Sequence, residues 1–157
     1  MSKTPPPLTM LAICCSLCFA TAAKCADQST PTADAIIALV GGSLSNAGSK
    51  TGPPSQAYPG DPGQVCVDYG TYALLIENQT DVTGCFFWPN WKAEACGVML
   101  TDSRDDMVKK LGNPKVDQIS HANNTEIMEY FNGATKTVTQ IKFKDGKCTR
   151  ILVKKPS

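Results

Sequence analysis

At 157 residues with a formal net charge of +1, the chain has room for one compact domain of about 100 residues beside a targeting segment and a linker. Its 15 basic and 14 acidic side chains are scattered, so the sequence carries no electrostatic footprint for nucleic acid or for an acidic membrane face. More informative is the balance of eight cysteines against one histidine.

The N-terminus has the order of a secretory signal peptide over residues 1–23: Lys3, an apolar run from Leu8 to Phe19, then small residues with an A-x-A site at Ala20 to Ala22. The apolar run is shorter than the ~20 residues a membrane helix needs. The reading is therefore an exported protein, periplasmic or outer-membrane associated, from which Cys14, Cys15 and Cys18 are removed. Cys25 sits where a lipid anchor would be attached, but Lys24 precedes it and argues against lipidation. It is expected as a free or paired thiol.

Residues 24–63 are expected as a mobile Gly/Ser/Pro-rich N-terminal segment. Within them, Thr30 to Val40 offers a hydroxyl cap, an early proline and an apolar run stopped by Gly41-Gly42, which predicts a short helix. The folded body is then placed at 64–157. Val65, Val67 and Tyr69 alternate as in a half-buried strand, whereas "TYALLIEN" has no clear period.

In an oxidising compartment Cys66, Cys85, Cys96 and Cys148 are disulfide candidates, and four cysteines leave three connectivities open. Cys85 and Cys96 are close enough to close a short loop, worth about 3 kcal/mol if unstrained. That loop, "CFFWPNWKAEAC", holds Phe86, Phe87, Trp88 and Trp91 around a turn at Pro89-Asn90. Not all four rings can point one way, so Phe86 and one tryptophan are expected inside and the other tryptophan near the surface. Phe87, Trp88 and Trp91 are the candidate anchors for a protein partner.

The last third is more legible. Thr101 or Asp102 as cap, acidic residues in the first turn, Lys109-Lys110 in the last turn, then Gly112 and Pro114 define a helix of about three turns. Four strand-like segments follow, and Asn132-Gly133 and Asp145-Gly146 read as tight hairpin turns. A two-residue turn at Asn132-Gly133 sets Glu129 opposite Lys136 and Ile127 opposite Val138. The predicted fold class is α+β, a small two-layer domain with short helices packed on an antiparallel β-meander.

Gly97 and Thr101, then Val108, Leu111, Gly112 and Pro114, then Tyr130, and finally Phe143 with Asp145-Gly146 resemble the SmpA/OmlA domain of the outer-membrane assembly lipoprotein BamE and its relatives. The resemblance spans Gly97 to Val153. It implies two helices on a three-stranded sheet, with Trp91 to Cys96 as the end of the first helix. It also implies a partner in outer-membrane assembly or envelope maintenance. Exported inhibitors of β-lactamase type are similar to the same pattern.

No catalytic constellation is read. His121 lies in polar sequence without a partner, and Asp102, Asp105 and Asp106 are explained by the positive end of a helix. There is no C-x-x-C pair, and Gly41-Gly42 lacks the lysine of a phosphate loop. The chain is thus expected to be a non-enzymatic, cofactor-free and metal-free exported envelope protein that binds another protein, with peripheral membrane association compatible with that role. The alternative is an exported inhibitor or immunity-type protein that binds a hydrolase.

Overall fold

The computed structural model describes residues 30–156; the signal peptide and Cys25 lie outside the described residues. Eight antiparallel strands form one sheet in the order β1-β2-β3-β4-β8-β7-β6-β5. They are β1 Gln56–Pro59, β2 Gln64–Asp68, β3 Tyr72–Glu77, β4 Asp81–Phe87, β5 Val116–Ser120, β6 Thr125–Asn132, β7 Thr137–Lys144 and β8 Lys147–Lys154. Among the described residues three short helices accompany them: α1 Ala33–Ile37, α2 Leu44–Thr51 and α3 Arg104–Leu111. Strands take 43% and helices 17% of the described residues, which corrects the expected α+β class to a sheet-dominated fold. The miscount has a physical source. The region Gln64 to Phe87, read only in part as strand, supplies three strands that extend the meander sideways.

Residues 41–63, expected as linker, carry α2 and β1. Main-chain hydrogen bonds from Gly41 to Val82 and from Leu44 to Thr80 fasten this stretch to the start of β4, and β1 pairs with β2 from Gln56↔Asp68 to Pro59↔Val65. Its side chains are exposed throughout β1, as on an edge strand closed by a proline. Trp91 to Cys96, the expected end of a first helix, is irregular backbone instead.

The sheet is two copies of one pattern. In each, a hydroxyl N-cap (Thr32, Ser103) accepts a hydrogen bond from the amide three residues on, satisfying a helix-end donor. Four residues after each cap a side chain is fully buried, Ile36 or Met107. Gly41 and Gly112 then take φ of +95° and +82°, a region open to glycine. In the second hairpin of the last three strands of each copy, one threonine is left unpaired as a bulge. Leu75↔Gly84 gives way to Ile76↔Val82 around Thr83, and Lys142↔Arg150 gives way to Phe143↔Cys148 around Thr149. The last strands of the copies, β4 and β8, pair in the middle from Gly84↔Lys154 to Phe87↔Ile151. α2 is the addition peculiar to the first copy.

One face of the sheet is covered by α1, α2, the 88–103 connection and α3. Its core includes Leu74, Ile76, Val82, Phe87, Met128, Ile141, Phe143, Ile151 and Val153, closed by Ile36, Trp91, Val98 and Met107. Arg104 ties α3 to the sheet through Glu126 on β6 and Asp117 on β5. The predicted hairpin at 132–133 opens wider than expected. Asn132 pairs with Thr137 and Glu129 with Gln140, because the Asn132 side chain accepts from the amides of Ala134 and Thr135 and so builds a longer loop that turns back at Lys136, φ +51°. At Asp145-Gly146 the two-residue turn forms, with φ of +52° and +73°.

Candidate functional site

Among the described residues no helix crosses the second face. Strand alternation brings a separate small cluster there: Cys66, Ala73, Phe86 and Leu152, with Leu75 and Trp88 against it. Phe86 and Trp88 stack with ring centres 5.5 Å apart, and the Arg150 guanidinium lies 4.8 Å from the Phe86 ring centre. A guanidinium on a ring gains about 1–2 kcal/mol when partly desolvated. Burial lowers the Arg150 pKa from its ordinary value, yet a guanidinium so shifted stays cationic. Its Nη2 donates to Gln140 Oε1 at 3.4 Å, and Gln140 Nε2 donates to Glu129 Oε1 at 2.8 Å. On the other flank the Trp88 indole donates to Asp68 at 3.3 Å.

Charge is divided along this face. Asp68 and Glu77 stand on the β2–β3 side, while Lys142, Arg150 and Lys154 stand on the β7–β8 side. The Tyr58 hydroxyl at the β1 edge, on the residue paired with Cys66, has its pKa pushed up to about 12, first by the neighbouring Cys66 thiol and then by burial.

Of the three candidate anchors only Trp88 is on this surface. Phe87 is fully buried and Trp91 is 5% exposed, packed against each other at 5.0 Å and, for Trp91, edge-on to Tyr72 at 6.1 Å. Both therefore serve the covered core, and the expectation that they contact a partner is corrected. The alternation along β4 sends Phe86 and Trp88 to one side and Cys85 and Phe87 to the other. Arg150 was missed because nothing local to "KCTRILVK" marks a cation lying on a ring four strands of sequence away.

The covered face holds two clefts between α1, the 88–103 connection and α3, of about 660 Å³ and 540 Å³. Asp34, Cys96 and Gly97 line both. Cys96 is the tip of a two-residue turn closed by hydrogen bonds in both directions between Ala95 and Val98, with φ of +55° at Cys96 and +80° at Gly97. Such a turn normally takes Asn, Asp or Gly at its first position, and another residue there costs about 1–2 kcal/mol. The Thr139 hydroxyl reaches the Cys96 sulfur at 3.6 Å.

All four described cysteines are free thiols. Burial pushes Cys85, Cys96 and Cys148 thiols up, and Cys66 likewise, which disfavours the thiolate a nucleophile requires. His121 is exposed in the turn after β5, on a different element from Asp102, Asp105 and Asp106. Those acids serve α3: Asp102 accepts from the Met99 amide and from Lys110, and Asp106 from Ser103 and Lys109. Among the described residues no three metal-binding side chains come together, and no helix is long and apolar enough to cross a membrane.

No known protein family and no curated protein matches the chain. Two solved structures share its fold. An extracellular protein containing a SCP domain from Bacillus anthracis aligns at TM-score 0.58 and 13% identity over 86% of this chain, which spans half the length of that protein. A DUF4309 family protein from Bacillus subtilis aligns at TM-score 0.53 and 11% identity, over 73% of this chain and 78% of its own. At these identities the likeness is one of fold.

Proposed function

We propose that this chain is an exported, non-catalytic protein-binding module that receives its partner on the open face of the sheet, around Trp88 and Arg150, which lie against the buried Phe86 ring. The observation that carries this reading is the asymmetry of the sheet. Three helices and a connection cover one side, whereas the other concentrates stacked aromatics and an arginine in a polar surround, the composition of interface hot spots. Eight strands at ~4.8 Å spacing and up to eight residues long present a face of about 34 by 26 Å. That matches the roughly 800 Å² per partner of a standard interface.

The partner we favour belongs to the cell envelope, in outer-membrane assembly or maintenance, as the resemblance of Gly97 to Val153 to the BamE-type domain implies. The same broad face also suits a single globular hydrolase, the partner in the inhibitor reading, because the docking area spans both copies of the repeat. Site-directed photo-cross-linking decides. A cross-linker at Lys142 on the open face should trap a partner and one at Lys109 on α3 should not; the reverse would discard the open face as the site. A membrane protein in the adduct supports the envelope role, and a soluble one-to-one complex supports the inhibitor role. Trp88→Ala should weaken the complex at least tenfold while leaving the fold intact.

A further inference from the structure

The geometry points to Cys85 and Cys96 as a disulfide-forming pair that fastens the Ala95–Val98 turn to strand β4. Three observations carry this. First, sheet faces sort the cysteines. Cys66 belongs to the open-face cluster and Cys85 and Cys96 to the covered face, so Cys66 cannot reach either without crossing the sheet. Second, position along the strand removes Cys148. Cys85 pairs with Val153, and Cys148 lies at the opposite end of β8, about 17 Å from Val153 at ~3.3 Å per residue. A disulfide holds its Cα atoms within about 7 Å.

Third, the turn aims a thiol at this row. Cys85, Val153 and Thr139 are consecutive members of one cross-strand row. Cys96 stands over Thr139 and lines the same cleft as Val153 and Thr139. A residue that usually avoids positive φ is thus placed at a turn tip whose side chain reaches Thr139, two strands along the row from Cys85. An observed backbone outlier of this kind is a pointer to function. The influence of Cys96 on the titration of Cys85 agrees with their nearness. Closing the bond requires the tip of the turn to move across Val153, since two strand spacings of ~4.8 Å separate Thr139 from Cys85.

The chemistry balances as thiol–disulfide exchange with a small disulfide oxidant of the exporting compartment. Cys96, which borders both clefts, attacks the oxidant and releases one thiol. Cys85 then displaces the second thiol and forms the protein disulfide, so two protein hydrogens end on two reduced oxidant thiols. Because burial holds Cys85 protonated, exchange belongs to the folding chain and is slow once the core has closed.

The test uses the full chain recovered from the exporting compartment without reductant. Free thiols are alkylated in denaturant and the protein is digested for peptide mass spectrometry. The expected product is a peptide pair linked through Cys85 and Cys96, with alkylated Cys66 and Cys148. Alkylation of both Cys85 and Cys96, or a link from either to another cysteine, overturns the proposal. Thermal melts supply a second readout. Reductant should lower the melting temperature of the wild type by about 10 °C and leave Cys96→Ser unmoved, whereas equal shifts in both would also overturn it.

Discussion

Phe86 and Leu152 face each other across the β4–β8 pairing, and each is the counterpart of the other: both stand three residues after the bulged threonine of their own copy. The pairs on either side repeat the relation, Cys85↔Val153 answering Phe87↔Ile151. A local two-fold axis therefore passes between Phe86 and Leu152, at the centre of the open-face cluster. Phe86→Ala and Leu152→Ala should each cost about 2–4 kcal/mol in urea unfolding. The double variant should cost at least 0.5 kcal/mol less than their sum, since the two side chains share one contact. Strict additivity would show that the pair is not an energetic unit.

Ile36 and Met107 supply the same test away from the axis. Each is the fully buried residue of its helix, so truncation to Ala leaves a cavity worth about 2–5 kcal/mol. Lying in different copies, they should add to within about 0.5 kcal/mol. Circular dichroism and tryptophan fluorescence should report one shared transition for both variants, because Trp91 belongs to the core that the two helices close.

Gly84 is required by the seam itself. A Cβ built there would stand 3.0 Å from the Val153 carbonyl oxygen and 3.3 Å from Leu75 and Lys154 side-chain atoms. Backbone cannot yield as a flexible side chain can, so Gly84→Ala should cost about 1–3 kcal/mol. Gly48→Ala, where an added Cβ meets nothing within 4 Å in α2, should instead be neutral or slightly stabilising. Denaturation midpoints of the two variants check the contrast.

Asp102 predicts the acid side of the stability profile. The Lys110 ammonium, at 2.7 Å, and then the Met99 amide, at 2.8 Å, hold its carboxyl below the usual carboxylate value. A pKa lowered on folding adds stability above the unfolded value near 4, and that contribution is lost as pH falls through the folded value. Asp102→Asn should therefore cost about 1 kcal/mol at pH 7 and less at pH 2. An equal cost at both would remove the charge from the explanation.

Much of this was open to inspection in the sequence where the signals are local. Around α3, the first-turn acids, terminal lysines and Gly112 lie within one stretch; only the cap moved, to Ser103. The helix is also shorter than read, ending after eight residues. The doubled pattern left a trace too: Thr32, Ile36 and Gly41 repeat the spacing of Ser103, Met107 and Gly112, and Val67-Asp68-Tyr69 repeats Met128-Glu129-Tyr130. It was hidden by residues 41–63, whose Gly, Ser and Pro resemble a linker because β1 is exposed on every side chain. The open-face site was half visible. Trp88 stands in an obvious aromatic run, but its neighbours Arg150 and Asp68 are brought to it only by strand order.

The order of the strands also sets a schedule for synthesis. β4 carries Cys85, Phe86 and Phe87 in the middle of the finished sheet, but its neighbour β8 is the last of the described strands. Until that strand arrives, the first copy has an apolar, unpaired border where nascent chains are prone to join one another. The sheet is thus sealed at its centre last, and an escorting chaperone would be needed most between the emergence of Phe87 and that of Val153.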